Sequence, residues 1–456
     1  MITFTPLGGA NEIGANAYYL NIDETGILID CGMHPRNKGL KALPNFDYLN
    51  DKPLDYVIIS HAHSDHIGSL PYLIKLFPHV KILMTTQTKQ IAGITLHNSA
   101  NILRETLNDE PGIEPYTHEE IDLLTKTIFN YSYNETFEIS GILHRGNSAI
   151  HTTFYDAGHI LGSAGILFEY EHERIFYTGD TRKSKQIILN GANYPKQRVT
   201  ALIMESTYGA ADQKNSKTWF DEFEKFSKKA NRILEGGGSI LIPIFALGKT
   251  QEMLAGINHF IEKGKLLNPI IYSGGIANRI ANVYDDNKYL VERNLKNLDL
   301  RKIEQVNIYG ITNKNDFFKN NGIVLAPGGM LDERTFSYKM VRDFLKNDKS
   351  SIFIVGYIDP DSPGAVLLKA KKGDKIKLAE HEKPFEIKCT IEKFNFPSHS
   401  TKEELLEMVY KLNPARVILV HGDEQAISSL GYKILKLFDG VKLHSCETEK
   451  TIIISE

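Results

Sequence analysis

Short apolar runs separated by polar, glycine-containing turns dominate the first 207 residues. GILID (26–30), YVIIS (56–60), KILMTT (81–86), AIHTTFYDA (149–157), AGILFEY (164–170), RIFYTGD (174–180) and TALIMES (200–206) each read as a strand. Several are continuously apolar, the pattern of strands covered on both faces. The texture changes from residue 208. NSKTWFDEFEKFSKKANRILEGGG has helical spacing and a glycine-rich stop. SILIPI, KTQEMLAGINHFIEKG, NPIIYS, GIVLAP and SIFIVGY follow. Strands alternating with helices predict a parallel α/β unit. After KPFEIKCTIEKFNF the first style returns. In SHSTKEELLEMVYKLN, Ser400 as N-cap with Glu403 three residues on predicts a capping box. Leu405, Leu406, Met408, Val409 and Leu412 give that helix one apolar face. ARVILV reads as a buried strand with His421 directly after it. The pattern thus predicts one domain interrupted by another: an outer domain over 1–207 and 385–456, and an inserted domain over 208–384.

Composition narrows the classes. The chain has 456 residues, 42% hydrophobic and 24% charged, ordinary values for a globular protein with a sizeable core. Its formal net charge of −3 argues against a partner held by a bulk basic field, so a nucleic acid would bind through a local patch. Cys31, Cys389 and Cys446 are too few and too widely spaced for a disulfide framework. MITFTPLGGANEIG has neither a basic nor an apolar leader pattern, and no run of about 18 apolar residues occurs. The expectation is a cytoplasmic protein with no membrane association.

The candidate chemistry sits at strand ends. VIISHAHSDHIGSL packs His61, His63, Asp65 and His66 into six positions just past an apolar run. Neutral imidazole nitrogens and carboxylate oxygens are zinc donors. Two residues apart in extended chain, His61 and His63 can point to one side. Four such residues can serve two neighbouring metals, but they cannot complete both shells. Further donors follow other strands: His159 in DAGHILGSAG, Asp180 in IFYTGD and His421 in VILVHGD. Singly, each has a bland reading, as a surface or capping histidine or a turn aspartate. Together they lie at the carboxyl ends of strands, where open α/β sheets place their sites.

HAHSDH, AGHILGSAG, TGD and LVHGD resemble the ordered metal motifs of the metallo-β-lactamase superfamily, and LIDCG around Asp30 resembles its first motif. The resemblance implies a four-layer αββα fold with a two-zinc site: His61, His63 and His159 on one ion, Asp65, His66 and His421 on the other, and Asp180 bridging. MESTYG, carrying Glu205, and FNFPSHST, carrying His399, resemble the first two extra motifs of the β-CASP branch, nucleases with an inserted α/β domain. His421 would be the third, and a histidine there resembles the RNA-processing members. PIFALGKTQEML and GGMLDERTFSYKM also resemble β-CASP segments. The sequence departs from the family at Lys249, where arginine is usual. It also departs at SGGIAN, in place of a serine-proline turn, and at GYIDPDSPGAVLL, which lacks an arginine. Lysine is a point charge where arginine is a fork, so the grip on a phosphate backbone is expected to differ.

Other signals are discounted. ALGKT is not a phosphate-binding loop, because the glycine required five residues before Gly248 is Pro243. FEKFSKKANR reads as a solvated helix face.

What the resemblance implies is a ribonuclease acting on single-stranded RNA with two zinc ions per chain. Asp65 would hold the attacking water in line. His399, oriented by Glu205, would protonate the leaving oxygen. A homodimer is compatible with this reading. Its rivals are a hydrolase of another ester on the same scaffold, a DNA-directed nuclease and a non-catalytic scaffold partner. The insertion and the Glu205–His399 pair argue against a small substrate, and the full ligand set argues against a scaffold.

Overall fold

The computed structural model describes residues 1–106, 116–142, 149–211, 218–359 and 362–456. Residues 215–217 of the charged helical stretch, and Pro360 and Asp361 of GYIDPDSPGAVLL, lie outside the described residues. The chain folds as two compact units: Met1–Ser184, Gly191–Asn215 and His399–Glu456 form the first, and Lys185–Asn190 with Ser216–Ser398 form the second.

The first unit is built on two seven-stranded sheets. One runs in the order Ile452–Ser455, Ile2–Gly8, Ala17–Ile22, Thr25–Ile29, Tyr56–Ile58, Lys81–Thr85, Phe129–Tyr131. The other runs Lys442–Ser445, Arg416–Val420, Ala201–Glu205, Glu173–Tyr177, Ala164–Tyr170, Ile150–Asp156, Thr136–Ile139. Side chains alternate across a strand, and both faces of these strands are apolar. Tyr18, Leu20, Ile29 and Ile58 of one sheet meet Phe154, Ile166, Tyr177 and Ile203 of the other in a shared core. The opposite faces carry Tyr19, Leu28, Val57 and Ile82, packed with Leu70, Leu73, Leu96 and Ile121 of helices, and Leu202, Met204, Val417 and Leu419, packed with Leu405, Met408 and Leu430. Helix, sheet, sheet, helix is the four-layer order.

The helix Lys402–Leu412 illustrates the division of labour. Its buried face, Leu405, Met408, Val409 and Leu412, contributes about 1.5–3 kcal/mol per side chain. The cap, worth about 1 kcal/mol, sets only where the helix starts. That cap is Thr401 with Glu404, and not Ser400 with Glu403. Ser400 is engaged elsewhere: its N–H donates to the Thr181 carbonyl at 2.6 Å and its hydroxyl accepts from Lys183 N–H at 3.0 Å.

The second unit holds a six-stranded sheet in the order Val306–Asn307, Ile271–Ser273, Ile323–Pro327, Ile240–Ile244, Ser351–Ile354, Thr390–Lys393. Every pair in it is parallel, as strand–helix alternation requires. Thr390–Lys393 joins Ser351–Ile354 in this sheet, and residues 385–398 fall in the second unit. The second unit also holds Lys249. Its ammonium donates to the Phe396 carbonyl and lies 4.6 Å from the Trp219 ring centroid. Among the described residues no helix is long and apolar enough to cross a membrane.

Candidate metal centre

All the candidate residues lie in the first unit, most of them just past its strands and His399 just ahead of the helix Lys402–Leu412. The segment after Tyr56–Ile58 turns at His63, which is N-cap of the short helix Ser64–Ile67 and accepts from the N–H groups of His66 and Ile67. This brings His61, His63, Asp65 and His66 to one place. The turn fits only because residue 32 is glycine: a Cβ there would come within 1.6 Å of the Asp65 carbonyl oxygen. His159 stands in the turn after Ile150–Asp156, behind Gly158 at φ +69°. Asp180 follows Glu173–Tyr177, and Glu205 ends Ala201–Glu205. His421 follows Arg416–Val420 with φ of 50°, a conformation costly for a side chain with a Cβ.

Two donor groups result. The ligand atoms of His61, His63, His159 and Asp180 lie within 4.8 Å of one another, and so do those of Asp65, His66 and His421. Asp180 faces both. Its Oδ2 is 3.6 Å from His61 Nε2 and 3.7 Å from His159 Nε2. Its Oδ1 is 3.4 Å from His66 Nε2 and 3.3 Å from His421 Nδ1. Asp65 Oδ2 lies 3.5 Å from His66 Nε2 and 3.4 Å from His421 Nε2.

Buried partners behind the rings assign the tautomers. His66 Nδ1 donates to Asp30 Oδ2 at 2.8 Å, and His61 Nδ1 donates to Ser60 Oγ at 3.1 Å, whose own hydroxyl donates to Asp30 Oδ2. Both rings therefore keep Nδ1 for these partners and turn Nε2 toward the cluster. Asp30 also accepts from Ser60 N–H and from Tyr177 hydroxyl at 2.7 Å each. Asn16 Nδ2 donates to the Asp65 carbonyl at 2.9 Å, and the Tyr18 hydroxyl donates to Asn16 Oδ1. Thr207 Oγ1 sits 3.1 Å from His421 Nδ1.

The arrangement fits a bound cation. His63 Nδ1 is 3.1 Å from both His61 Nε2 and His159 Nε2. One shared proton cannot satisfy three converging nitrogens, whereas a cation can. Asp180 Oδ1 is buried and, among the described residues, has no hydrogen-bond partner. Burial pushes the Asp180 and Asp65 carboxyls upward, but the surrounding imidazoles outweigh it and hold both below the carboxylate range. Burial lowers His61 strongly. It also opposes charging of His66, where Asp180, Asp65 and Asp30 win and raise it.

His399 stands beside this cluster, its Nε2 3.9 Å from Asp180 Oδ2 and its ring centroid 4.5 Å from that of His159. Its Nδ1 meets Glu205. Burial disfavours the charged ring, yet Glu205 and then Asp180 outweigh it and raise His399 above its ordinary value.

The structure thus brings together all nine sequence candidates. The supporting residue Asn16 carried no sequence signal, and Thr207 lies in MESTYG without having been marked. Asp30 carried one, the LIDCG segment, without being marked as part of the site.

Family models match three stretches of the chain. Residues 10–125 match the metallo-beta-lactamase superfamily, 250–367 the Beta-Casp domain, and 384–443 the Zn-dependent metallo-hydrolase RNA specificity domain. Curated relatives include Endoribonuclease YSH1 of Kluyveromyces lactis, 28% identical over 97% of this chain and 58% of its own. Cleavage and polyadenylation specificity factor subunit 3 of Dictyostelium discoideum is 27% identical over 97% of this chain and 56% of its own. Integrator complex subunit 11 of Danio rerio is 29% identical over 100% of this chain and 74% of its own. The chain therefore spans little more than half the length of the first two. A solved structure from Enterococcus faecalis V583, a protein of unknown function, aligns with TM-score 0.58 over 99% of each chain at 14% identity, a likeness of fold.

Proposed function

Because this chain belongs to the metallo-β-lactamase superfamily, in its β-CASP branch, we propose that it is a zinc-dependent ribonuclease that hydrolyses phosphodiester bonds of single-stranded RNA. The observation that carries the reading is the place of His399: a histidine bonded to a buried carboxylate, at the rim of a His/Asp cluster suited to two cations. A site that only stored metal would not need it.

His61, His63 and His159 would hold one zinc ion, Asp65, His66 and His421 the other, with Asp180 between them. Bound there, the ions would supply Lewis acidity and neutralise the charge that shields a phosphodiester. Asp65 orients the attacking water. His399 donates its Nε2 proton to the departing 3′ oxygen. Glu205 fixes the ring through Nδ1 and favours its protonated form. RNA as substrate is supported by the match to an RNA specificity domain and by relatives named as endoribonucleases. The net charge of −3 supports a single strand gripped locally over a duplex held by a broad basic face.

The test is direct. Purified protein is incubated with end-labelled RNA and DNA, with and without chelator. Chelator-sensitive cleavage of RNA is expected. Cleavage confined to DNA, or cleavage indifferent to chelator after exhaustive metal removal, overturns the proposal.

A further inference from the structure

Arg182 lies two residues beyond Asp180 and is 2% exposed. Its Nη1 donates to the carbonyl oxygen of His399 at 3.0 Å and to Glu404 Oε2 at 3.0 Å. Its Nε is buried and, among the described residues, has no hydrogen-bond partner. Burying a guanidinium with one donor unpaired is costly. The neighbouring chain does not need it for attachment. Ser400 is already bonded to Thr181 and Lys183, Ser184 bonds Glu404, and Lys183 pairs with Glu407. What Arg182 adds is a charged grip on the main chain of the one residue whose ring must be aimed. Glu404, fixed in the cap of Lys402–Leu412, holds the guanidinium in turn. Both bonds leave the one nitrogen Nη1, and the rigid guanidinium plane fixes the directions of its two N–H groups where a lysine ammonium would rotate.

We infer that Arg182 is a positioning residue for His399, clamping the main chain from which the proton donor projects. The inference rests on the general-acid reading of His399 given above. It makes a demand that a scaffold role would not. Displacing the donor should slow only reactions that need the proton.

The experiment compares Arg182→Met, Arg182→Lys, His399→Ala and the double variant Arg182→Met/His399→Ala on RNA and on an activated aryl phosphodiester, whose leaving group departs without a proton. Zinc content and thermal unfolding are followed alongside. Arg182→Met is expected to lower kcat on RNA by about 10²-fold, the scale of a misplaced catalytic group. KM, zinc content and the aryl rate should change little. Arg182→Lys should recover part of the loss, and the double variant should be no slower than His399→Ala alone. Equal losses on both substrates, or additive losses in the double variant, overturn the inference. If Arg182→Met fails to fold, Glu404→Gln takes its place. Glutamine keeps the cap but removes the charge that pins the guanidinium. A smaller loss confined to RNA supports the inference, and none or an equal loss overturns it. If His399→Ala is itself equally slow on both substrates, the acid reading has failed and the inference falls with it. That outcome is distinct from the contrast appearing in His399→Ala but not in Arg182→Met, which overturns the inference alone.

Discussion

His399 turns its Nδ1 toward both carboxylate oxygens of Glu205, 3.1 Å from Oε1 and 3.0 Å from Oε2. Glu205 is itself held, accepting the amide of Thr181 at 2.9 Å and that of Thr207 at 3.3 Å. The ring therefore has one orientation, with Nε2 on the side of Asp180.

This pair gives the first prediction. General acids typically contribute about 10²–10⁴-fold. His399→Ala should lose RNA cleavage by that factor while keeping its metal and fold. Glu205→Gln should lose less, since glutamine can still orient the ring but does not favour its charged form. Both losses should shrink on an activated aryl phosphodiester. Equal losses on the two substrates would mean that His399 has another job.

The second prediction concerns metal. The two donor groups call for about two zinc ions per chain. Elemental analysis of His63→Ala and Asp180→Ala should show reduced zinc, with hydrolysis abolished. Asp30→Asn touches no ion in the proposed site, yet it weakens the acceptor behind His66 and Ser60. Losses of a metal ligand's outer partner cost about 10–100-fold in affinity or activity, so titration against a chelator should show weaker binding. Fully active protein with no transition metal would refute the site.

The third prediction concerns substrate form. Cleavage should favour single-stranded over duplex RNA, and affinity should fall as salt rises. Equal cleavage of both forms would count against the reading.

Much of the centre was legible because its donors come as a compact string, HAHSDH, and as residues directly after strands. Their partners were not. Asn16, Thr207 and Arg182 are ordinary polar residues whose roles depend on neighbours that are 49, 214 and 217 positions away. The capping shift has the same cause. Ser400 and Thr401 each have glutamate three residues on, and only the bonds of Ser400 to Thr181 and Lys183 decide between them. Ile2–Gly8 and Ala17–Ile22 escaped the strand reading because threonine, proline and asparagine interrupt their apolar pattern. The parallel pairing of Thr390–Lys393 with Ser351–Ile354 is likewise announced by nothing local.

A fourth prediction concerns pH and the second unit. Glu252 is buried and accepts the amides of Ile188 at 2.7 Å and Leu189 at 3.1 Å. Burial outweighs those bonds and pushes its carboxyl from the ordinary 4.5 up to about 7. The folded state then binds a proton that the unfolded state has released, so stability falls as pH rises across that interval. At about 1.4 kcal/mol per pH unit, the contribution lost is about 3 kcal/mol. Glu252→Gln should flatten the dependence, gaining on the parent at pH 8 relative to pH 5 in thermal unfolding. Parallel curves for the two proteins would refute the assignment.

The closing strands of the first unit come from the last part of the chain: Ile452–Ser455 covers the edge of Ile2–Gly8, and Arg416–Val420 covers that of Ala201–Glu205. A ribosome makes most of the metal cluster early, then spends residues 216–398 on the other unit before releasing His399 and His421. Throughout that interval two apolar sheets present open edges, the kind that recruit foreign strands. The second unit, begun later, has its sheet complete at Lys393 and can be finished first. Synthesis from the N-terminus therefore leaves His399 and His421 to be added after the residues of the second unit. A nascent chain lacks the Glu205–His399 pair until that late stretch has been made.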